Sequence, residues 1–301
     1  FPETITPDTM DQYAETLRSA EIVFSTWGMP ALTESDLQQY VPRLKAVFYG
    51  AGTVQAFARP FLNRGIKVVS AWAANAVPVA EFTAAQIILA HKGFFQAAAK
   101  CKRDYEGAKK TAAAYPGNYG ARVGILGAGM VGKRVIELLR HYHLHVDVYD
   151  PFLPDEEAAR LGVCKTDLPT LFSRCQTISN HLANLPETVG ILHYEHFRRM
   201  RPHATFLNTG RGAQVVEADL ARALREVPTR TAVLDVTDPE PLPADSELLA
   251  LDNVFLTPHI AGSMNKEVVR MGLYMAEECE RFLRGEPLRY EVTLDMLATM
   301  A

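Results

Sequence analysis

The sequence predicts an α/β protein in two parts, of which the larger is a doubly wound parallel sheet covered by helices. Between residues 122 and 257, short runs rich in strand-forming residues alternate with stretches of helical spacing. This alternation is typical of βαβ units. The chain has 301 residues, which is long for one compact core and sufficient for two domains.

The larger part is predicted from six short strand-like runs. They are "RVGIL" (122–126), "HVDVY" (145–149), "CQTISN" (175–180), "ATFLN" (204–208), "RTAVLDV" (230–236) and "NVFLT" (253–257). Residues 130–142 and 217–227 lie between such runs and carry apolar side chains at helical spacing. Parallel strands joined by helices form a sheet that is buried on both faces.

The smaller α/β part is predicted at the start of the chain. Its strands are "AEIVFST" (20–26), "LKAVFYG" (44–50) and "IKVVSA" (66–71). Residues 79–110 look like one long helix or two joined helices, and the last helical stretch, 266–283, is expected to pack back on the smaller part. We therefore predict one domain from residues 1–93 with 267–301, and a second from residues 94–266.

Composition argues against several classes of protein. The formal net charge is −4, which gives no electrostatic basis for binding nucleic acid. The four cysteines are scattered, no signal-peptide pattern is visible at the start, and no apolar run reaches the ~18–20 residues that span a bilayer. We expect a reduced, cytoplasmic location with no nucleic-acid or membrane partner.

A glycine-rich turn follows the first strand of the larger part. In "RVGILGAGMVGKRV" the strand turns through Gly127, Gly129 and Gly132 into a helix, where a dinucleotide-binding motif must lie. Gly127 permits the tight turn, Gly129 lets the backbone approach a pyrophosphate, and Gly132 allows close helix–strand packing. Met130 and Val131 begin the helix, whose free N–H groups attract phosphate. The larger part is therefore predicted to be a Rossmann-type domain.

The residue after the next strand indicates which dinucleotide binds. Asp150 lies about 20 residues beyond the glycines, where a carboxylate can accept hydrogen bonds from the adenosine ribose hydroxyls. The same charge repels a 2′-phosphate, and Pro151 and Phe152 offer no cation to hold one. These residues favour NAD over NADP. The alternative is an ordinary glycine turn followed by a surface aspartate.

Three charged residues follow later strands of the same sheet. Arg211 stands in "NTGRG" (208–212), Glu240 in "DVTDPEPLP" (235–243) and His259 in "TPHIAGS" (257–263). Ligands of parallel sheets bind at the carboxyl ends of the strands, so we expect these side chains to share a cleft. Taken singly, each has an ordinary explanation as a solvated arginine, a helix-start charge or a turn histidine.

The histidines of "HYHLH" (141–145) are close together in the sequence. They span a helix end and a strand start, so their side chains are not expected to converge. No Cys, Asp or Glu at ligand spacing accompanies them. We therefore predict no metal site.

Together these motifs resemble those of the D-isomer-specific 2-hydroxyacid dehydrogenases. The resemblance covers residues 44 to 285 and includes "NHLANLPET" (180–188) besides the motifs above. "GAGTV" (50–54) and "ANAVPVAE" (74–81) are similar to motifs of the family's smaller, flavodoxin-like α/β substrate domain. The resemblance implies a homodimeric NAD-dependent oxidoreductase of a small D-2-hydroxy acid, equivalently a 2-keto acid reductase.

The resemblance also implies that Arg211, Glu240 and His259 are catalytic, and chemistry explains the residue types. A guanidinium can hold a carboxylate through two parallel hydrogen bonds and from there reach the oxygen on C2. That oxygen loses a proton on oxidation and regains one on reduction, which suits an imidazole. A carboxylate on the second ring nitrogen fixes the tautomer and stabilises the imidazolium, which is the role implied for Glu240.

Further cofactor contacts are implied by the same resemblance. Thr209 and Gly210 would lie beside the nicotinamide, and Gly262 would lie near the same ring. Asp235 ends a strand and would lie near the nicotinamide carboxamide.

Substrate contacts are implied in the smaller domain. The backbone N–H groups of Ala51 and Gly52 would hold the substrate carboxylate together with the guanidinium, and Asn75 would lie nearby. Tyr49 and Trp72 depart from the glycine-rich pattern that is commoner in the family. We expect these two to read the group beyond C2, which leaves the identity of the substrate open.

Two other functions remain open at this point. Corepressors that resemble these dehydrogenases keep the fold and much of the catalytic triad, so an NAD(H)-responsive regulatory binding protein is the alternative from another class. A Rossmann-like methyltransferase is the weaker alternative, because Arg211, Glu240 and His259 would then share no purpose.

Overall fold

The computed structural model describes residues 4–300. The chain divides into two compact units, the first made of residues 1–75 with 263–301 and the second of residues 76–262. The sequence instead suggested boundaries at 93/94 and 266/267. The first division differs most, because the helix that begins at residue 72 packs mainly on the sheet of the second unit. There Ala80 and Ile87 share an apolar cluster with Val123 and Ile125.

Regular structure covers most of the described chain. In chain order its strands are β1 (Ile22–Ser25), β2 (Ala46–Tyr49), β3 (Lys67–Ser70), β4 (Arg122–Leu126), β5 (His145–Tyr149), β6 (Cys164–Lys165), β7 (Thr177–Asn180), β8 (Thr205–Asn208), β9 (Thr231–Leu234), β10 (Val254–Leu256) and β11 (Glu291–Val292). Its α-helices are α1 (Ala14–Ser19), α2 (Glu34–Tyr40), α3 (Ala58–Asn63), α4 (Trp72–Ala90), α5 (Phe94–Cys101), α6 (Tyr105–Ala113), α7 (Met130–Leu139), α8 (Asp155–Leu161), α9 (Leu168–Arg174), α10 (Tyr194–Phe197), α11 (Glu217–Glu226) and α12 (Lys266–Leu283).

The second unit contains a seven-stranded parallel sheet. Its strand order is β10-β9-β8-β7-β4-β5-β6. Strand β4 lies inside the sheet, β5 and β6 follow on one side of it, and β7 to β10 follow on the other. This order confirms the predicted doubly wound sheet, with its topological switch point between β4 and β7. Ligands of such sheets bind at the switch point, beyond the carboxyl ends of the strands.

Helices bury both faces of this sheet. Every residue of β7, β8 and β9 is buried, as expected for strands covered on two sides. On one face Phe172, Phe197 and Phe206 form a fully buried aromatic group. The buried face of α7, which includes Val135, packs in another apolar cluster of the same unit.

The helical stretch predicted over residues 79–110 is three helices, α4, α5 and α6. Gly93 separates the first two because it takes a left-handed φ of 66°. A Cβ at Gly93 would also lie 2.4 Å from the Tyr115 ring, so this position requires glycine. At the next break Asp104 caps α6 by accepting a hydrogen bond from the Gly107 N–H at 2.8 Å.

The expectation that no apolar stretch is long enough to cross a membrane is wrong for helix α4. By length and composition alone, this is the helix among residues 4–300 that passes such a test. However, 61% of its apolar window is buried inside the protein. Buried core helices commonly pass the same test, so the sequence of α4 is a weak indication of a membrane span.

The first unit has a four-stranded sheet among its described residues, with the order β1-β2-β3-β11. The three predicted strands are present and parallel, while β11 pairs with β3 in the antiparallel direction. Helix α12 belongs to this unit, as predicted. Its Met271 and Met275 are buried against Phe48 and Val69.

Candidate active site

The glycine turn after β4 leaves space where a dinucleotide phosphate would approach. Gly127 has a φ of 88°, and a Cβ there would lie 2.5 Å from the His181 carbonyl oxygen. A Cβ at Gly132 would lie 2.0 Å from the Gly127 carbonyl oxygen, so both positions exclude a side chain. At Gly129 a Cβ would meet nothing within 4 Å. Met130 begins α7 without a side-chain cap on its N–H groups, and these donors fit a pyrophosphate.

Asp150 lies directly after β5, beside this turn. Its Oδ2 accepts a hydrogen bond from the Ala128 N–H at 2.7 Å, and its Oδ1 accepts one from the Phe152 N–H at 2.8 Å. A carboxylate oxygen can accept more than one hydrogen bond. Asp150 therefore braces the glycine turn and retains acceptor capacity for ribose hydroxyls. Val131, the second residue of α7, is partly buried against the sheet rather than at the turn itself.

The "NTGRG" turn is held by the last residue of β8. The Asn208 Oδ1 accepts a hydrogen bond from the Gly210 N–H, and its Nδ2 donates to the Arg211 carbonyl, both at 3.1 Å. One amide side chain thus joins both ends of the turn. The Arg211 Nη1 also donates to the Gly210 carbonyl at 2.8 Å, which fixes part of the guanidinium to its own loop.

A buried network of amide side chains lies beneath this turn. The Asn180 Nδ2 lies 3.0 Å from the Asn208 Oδ1 and 2.6 Å from the Gln214 Oε1. The Gln214 Nε2 in turn lies 2.8 Å from the Leu182 carbonyl oxygen and 2.9 Å from that of Ala183. The loops after β7 and β8 are therefore tied together by satisfied polar groups. Such networks fix a single arrangement of the backbone.

The second glycine of the turn brings the next loop close. A Cβ at Gly212 would lie 2.0 Å from the Thr237 carbonyl carbon, so only glycine allows this approach of two backbones. Burial lowers the pKa of the Arg211 guanidinium from its usual value, while the negative charge of Glu240 acts in the opposite direction. Arg211 and Glu240 are therefore within electrostatic reach of each other.

Glu240 and His259 form a hydrogen-bonded pair. The His259 Nδ1 lies 2.9 Å from the Glu240 Oε1, and the two side chains are 47% and 43% exposed. His259 has a left-handed φ of 53°. Its N–H donates to the carbonyls of Asp235 and Thr257, both at 3.0 Å, which holds this backbone conformation. The predicted catalytic residues thus meet at the carboxyl edge of one sheet.

Asp235 lies directly after β9, and its side chain anchors the loop that carries the histidine. Its Oδ1 accepts hydrogen bonds from the Thr257 hydroxyl at 2.6 Å and the Ile260 N–H at 2.9 Å. Its Oδ2 accepts one from the Ala261 N–H at 2.9 Å. The carboxylate is buried, so its principal contacts are with this loop. Gly262 follows directly and is the last residue of the second unit.

Thr209 is the remaining predicted cofactor residue. Its side chain is buried, and its hydroxyl lies 2.9 Å from that of Thr83 on α4. Gly210, the next residue, is close to the buried network, since a Cβ there would lie 3.1 Å from the Asn180 carbonyl oxygen. The sequence did not single out Thr83, because nothing in a helical pattern reveals a contact across more than a hundred positions.

The predicted substrate loop lies in the first unit. The Ser70 hydroxyl lies 2.9 Å from the Ala51 carbonyl oxygen and 2.6 Å from that of Gly52. A Cβ on Gly52 would lie 3.7 Å from the Asn75 Nδ2. Asn75 also accepts a hydrogen bond from the Ser263 N–H at 2.9 Å. The structure therefore brings Ala51, Gly52 and Asn75 together.

The expectation that Tyr49 reads the substrate is contradicted by its environment. Tyr49 is buried and packs edge-on against Phe57, with ring centroids 4.9 Å apart, in the apolar core of the first unit. Trp72 is partly buried and packs edge-on against Tyr290. Tyr49 is a core residue because it is the last residue of β2, all of whose residues are buried.

His181 lies at the switch point, in the "NHLANLPET" stretch to which the sequence assigned no role for a particular residue. Its N–H donates to the Leu126 carbonyl at 2.7 Å, and its Nε2 lies 2.9 Å from the Ser179 hydroxyl. Burial lowers the pKa of His181 to about 3, so the ring is neutral near pH 7. Because its carbonyl oxygen lies against Gly127, His181 helps to shape the glycine turn.

Known proteins share the family and the fold of this chain. The family model for the NAD-binding domain of D-isomer-specific 2-hydroxyacid dehydrogenases matches residues 84–261. The chain is 31% identical over 288 residues to the D-3-phosphoglycerate dehydrogenase of Methanocaldococcus jannaschii, covering 94% of this chain and 54% of that protein. It is 33% identical over 234 residues to that of Archaeoglobus fulgidus, covering 77% and 44%. The chain thus spans about half the length of the curated relatives it matches.

Solved structures share the fold. The apo D-mandelate dehydrogenase of Rhodotorula graminis has a TM-score of 0.82 at 20% identity, over 96% of this chain and 89% of that chain. The NAD-complexed D-isomer-specific 2-hydroxyacid dehydrogenase of Lactobacillus delbrueckii subspecies bulgaricus has a TM-score of 0.79 at 19% identity, over 97% and 91%. At these identities the likeness concerns the fold alone.

Fold and glycine turn together define a dinucleotide-binding α/β protein. More particularly, the chain belongs to the D-isomer-specific 2-hydroxyacid dehydrogenase family, and NAD is the cofactor of its nucleotide-binding domain.

The contact at Gly212 generates a prediction about the site. In the Gly212→Ala variant the new Cβ must push the Thr237 backbone away, so the free energy of unfolding should fall by about 1–3 kcal/mol. Gly272→Ala is the matched control, because Gly272 lies in α12 and a Cβ there would meet nothing within 4 Å. Urea unfolding of both variants measures the difference, and equal stabilities would contradict the proposed close approach.

Proposed function

We propose that the protein is an NAD-dependent oxidoreductase that interconverts a small D-2-hydroxy acid and its 2-keto acid. The observation that carries the proposal is the His259–Glu240 hydrogen bond at 2.9 Å, formed at the sheet edge that also holds Arg211 and the glycine turn. An imidazole paired with a carboxylate, close to a guanidinium, can exchange a proton with a carboxylate-bearing substrate. The family to which the chain belongs supports the same reaction class.

Arg211 holds the substrate in this proposal. A guanidinium offers five N–H donors in a planar fork, and the Arg211 Nη1 donates to the Gly210 carbonyl. The planar guanidinium suits the substrate carboxylate and the adjacent C2 oxygen. Partial burial of Arg211 strengthens these contacts, because charges interact more strongly away from water.

His259 moves the proton. Its Nδ1 faces Glu240, so the tautomer with Nδ1–H donating to the carboxylate leaves Nε2 as the atom that exchanges a proton with the C2 oxygen. In the direction of reduction, protonated Nε2 gives its proton to that oxygen. The negative charge of Glu240 stabilises the imidazolium that exists before this transfer.

NAD is held by the second unit in this proposal. When bound, the nicotinamide supplies the hydride chemistry at C2 of the substrate. Gly127 and Gly132 allow the tight turn and the close packing of α7, Gly129 leaves room for the pyrophosphate, and the N–H groups at the start of α7 bind it. Asp150 accepts hydrogen bonds from the ribose hydroxyls. Asp235 acts through the histidine loop that it anchors, so we assign it a positioning role.

We further propose that the preferred keto acid has an uncharged group beyond C2. The curated relatives named above are D-3-phosphoglycerate dehydrogenases. In this chain, however, the substrate loop at 49–57 and the segment 70–76 contain no lysine or arginine. A phosphate at C3 needs cationic partners, whereas these segments contain only uncharged polar, aromatic and apolar residues.

The assembly and location are also proposals. We propose a cytoplasmic homodimer that uses residues 95–120 and the nucleotide domain at its interface. Helix α6 and the loop that follows it carry exposed aromatic side chains, with Tyr105 67% and Tyr119 84% exposed. Aromatic residues are enriched at the centres of protein interfaces.

A keto-acid panel tests the proposed reaction. Glyoxylate, hydroxypyruvate, longer aliphatic 2-keto acids and 3-phosphohydroxypyruvate are each tested with NADH, and kcat/KM is measured by loss of NADH absorbance. We expect turnover, with the highest kcat/KM for an uncharged keto acid. A preference for the phosphorylated substrate would overturn the proposed substrate class. Tight NADH binding with no turnover on any substrate would favour the regulatory, corepressor-like alternative.

Asp150 is expected to set the choice of cofactor. In Asp150→Ala the ribose loses its acceptor and the repulsion of a 2′-phosphate disappears, so the ratio of kcat/KM for NADH over NADPH should fall at least tenfold. Glu156→Ala is a matched control, because it removes an acidic side chain from the following helix. An unchanged cofactor ratio in Asp150→Ala would exclude Asp150 as the ribose ligand.

His259 is expected to act in the chemical step. His259→Asn should lower kcat by about 10²–10⁴-fold, the usual loss when a general acid–base is removed. The Kd of NADH, measured by fluorescence titration, should change little. Retention of kcat would remove His259 from the mechanism.

Arg211→Ala is expected to impair substrate binding as well as the chemical step, in contrast to His259→Asn. Because the guanidinium holds substrate, this variant should raise KM for the keto acid and lower kcat, again with the Kd of NADH nearly unchanged. A large loss of NADH affinity would show that Arg211 instead serves the cofactor.

A further inference from the structure

A cavity of about 370 Å³ opens at the amino ends of the strands in the second unit. Its lining includes Arg122 and His145, the first residues of β4 and β5, together with side chains from the carboxyl-terminal ends of α7 and α8. The glycine turn lies at the opposite ends of these strands, so the cavity is separate from the cofactor site. Its volume lies within the range of about 300–1,000 Å³ that is typical of small-molecule pockets.

One part of the cavity wall is positively charged. Arg122, Arg140 and Arg174 all line it, and Asp147 is the acidic residue among the lining side chains. Asp147 is fully buried, with Oδ1 2.9 Å from the Arg122 Nη1 and Oδ2 3.2 Å from the Arg174 Nε. One carboxylate thus compensates one of three guanidinium charges, which leaves an excess of two positive charges in the wall.

These arginines are held in place before any ligand binds. Asp147 fixes Arg122 and Arg174, and the Arg140 Nη2 donates to the Arg160 carbonyl at 2.9 Å. Each guanidinium has five N–H donors, and the contacts named here use only some of them. Fixed donors lose little conformational entropy when a ligand binds.

Six apolar side chains from α7, α8 and the adjoining loops and strand also line the cavity, namely Ile136, Leu139, Leu144, Val146, Leu161 and Val163. His145, Gly162 and Cys164 complete the lining. A cavity lined by both guanidinium groups and apolar side chains suits a ligand that has an anionic head and an apolar body. Leu144 and His145 belong to the histidine-rich stretch 141–145, for which the sequence predicts no metal site.

We propose that this cavity binds a small phosphate monoester with an apolar body, separately from NAD and the keto acid. A phosphate monoester concentrates close to two negative charges on one head group, which matches the excess charge of the wall. Arginine is the side chain that binds phosphate with paired, directional hydrogen bonds. The apolar side chains then bury the body of the ligand.

Two cysteines allow a direct test. Cys164 is exposed and lines the cavity, whereas Cys279 is partly exposed and lies on α12, outside it and outside the proposed dimer interface. The rate at which iodoacetamide modifies each thiol is measured by mass spectrometry at constant ionic strength, with NADH present to fill the dinucleotide site. The probes are phenyl phosphate, inorganic phosphate and phenol.

Phenyl phosphate should slow modification of Cys164 at least threefold, with saturation, and leave the modification rate of Cys279 unchanged. Inorganic phosphate should protect only at higher concentration, and phenol should not protect. Failure of phenyl phosphate to protect Cys164, or equal protection of both cysteines, would overturn the proposed site. Equal potency of inorganic and phenyl phosphate would overturn the role of the apolar side chains.

A pair of variants tests the role of the charged wall. Arg140→Gln removes one cavity charge and leaves the Asp147 bridges intact, so half-protection of Cys164 should need on the order of tenfold more phenyl phosphate. Arg201→Gln removes the same charge from an exposed position outside the cavity and should have no effect. An unchanged rate of Cys279 modification and an unchanged Kd of NADH verify that both variants are folded. Equal protection in the two variants would contradict the proposal.

Discussion

The arrangement of the candidate site depends on the buried carboxylate of Asp235. It accepts hydrogen bonds from one hydroxyl and two backbone N–H groups of the loop that follows β10. Each donor left unpaired in such a buried place would cost about 1–3 kcal/mol, so the carboxylate strongly favours one loop conformation. That conformation includes the left-handed backbone of His259, and it places the imidazole within hydrogen-bonding distance of Glu240. The geometry of the acid–base pair is thus set by a residue that does not belong to the pair.

Close backbone packing fixes the position of the loop that carries the Arg211 guanidinium. Gly212 lets the loop after β8 approach the Thr237 backbone, and the buried side chains of Asn180, Asn208 and Gln214 hold that loop from below. Flexible glycines beside an arginine would give a mobile cation, whereas these glycines are fixed by their neighbours. The Arg211 side chain therefore extends from a rigid turn. This rigidity favours a role in orienting a ligand rather than in long-range attraction.

The parallel sheet gives its two edges different chemistry. At the carboxyl ends of the strands, the turn after β4 presents backbone N–H groups with no side chain in front of them. At the amino ends, side-chain guanidinium groups are held around the buried Asp147. Strands β4 and β5 and helix α7 extend from one edge to the other. A ligand in the cavity at the amino edge would therefore contact the far ends of the elements that form the dinucleotide turn, although it would lie outside that site.

The sequence by itself determined the alternating strands and helices, the glycine turn and the catalytic candidates, because periodicity, backbone freedom and charge type are local properties. It did not reveal the two-residue strands β6 and β11, which are too short to show a period, or the break at Gly93. Nor did it reveal that Tyr49 is a core residue. Only the tertiary structure decided that Asp235 anchors the histidine loop and that three arginines share a cavity, since both depend on contacts between residues far apart in the chain.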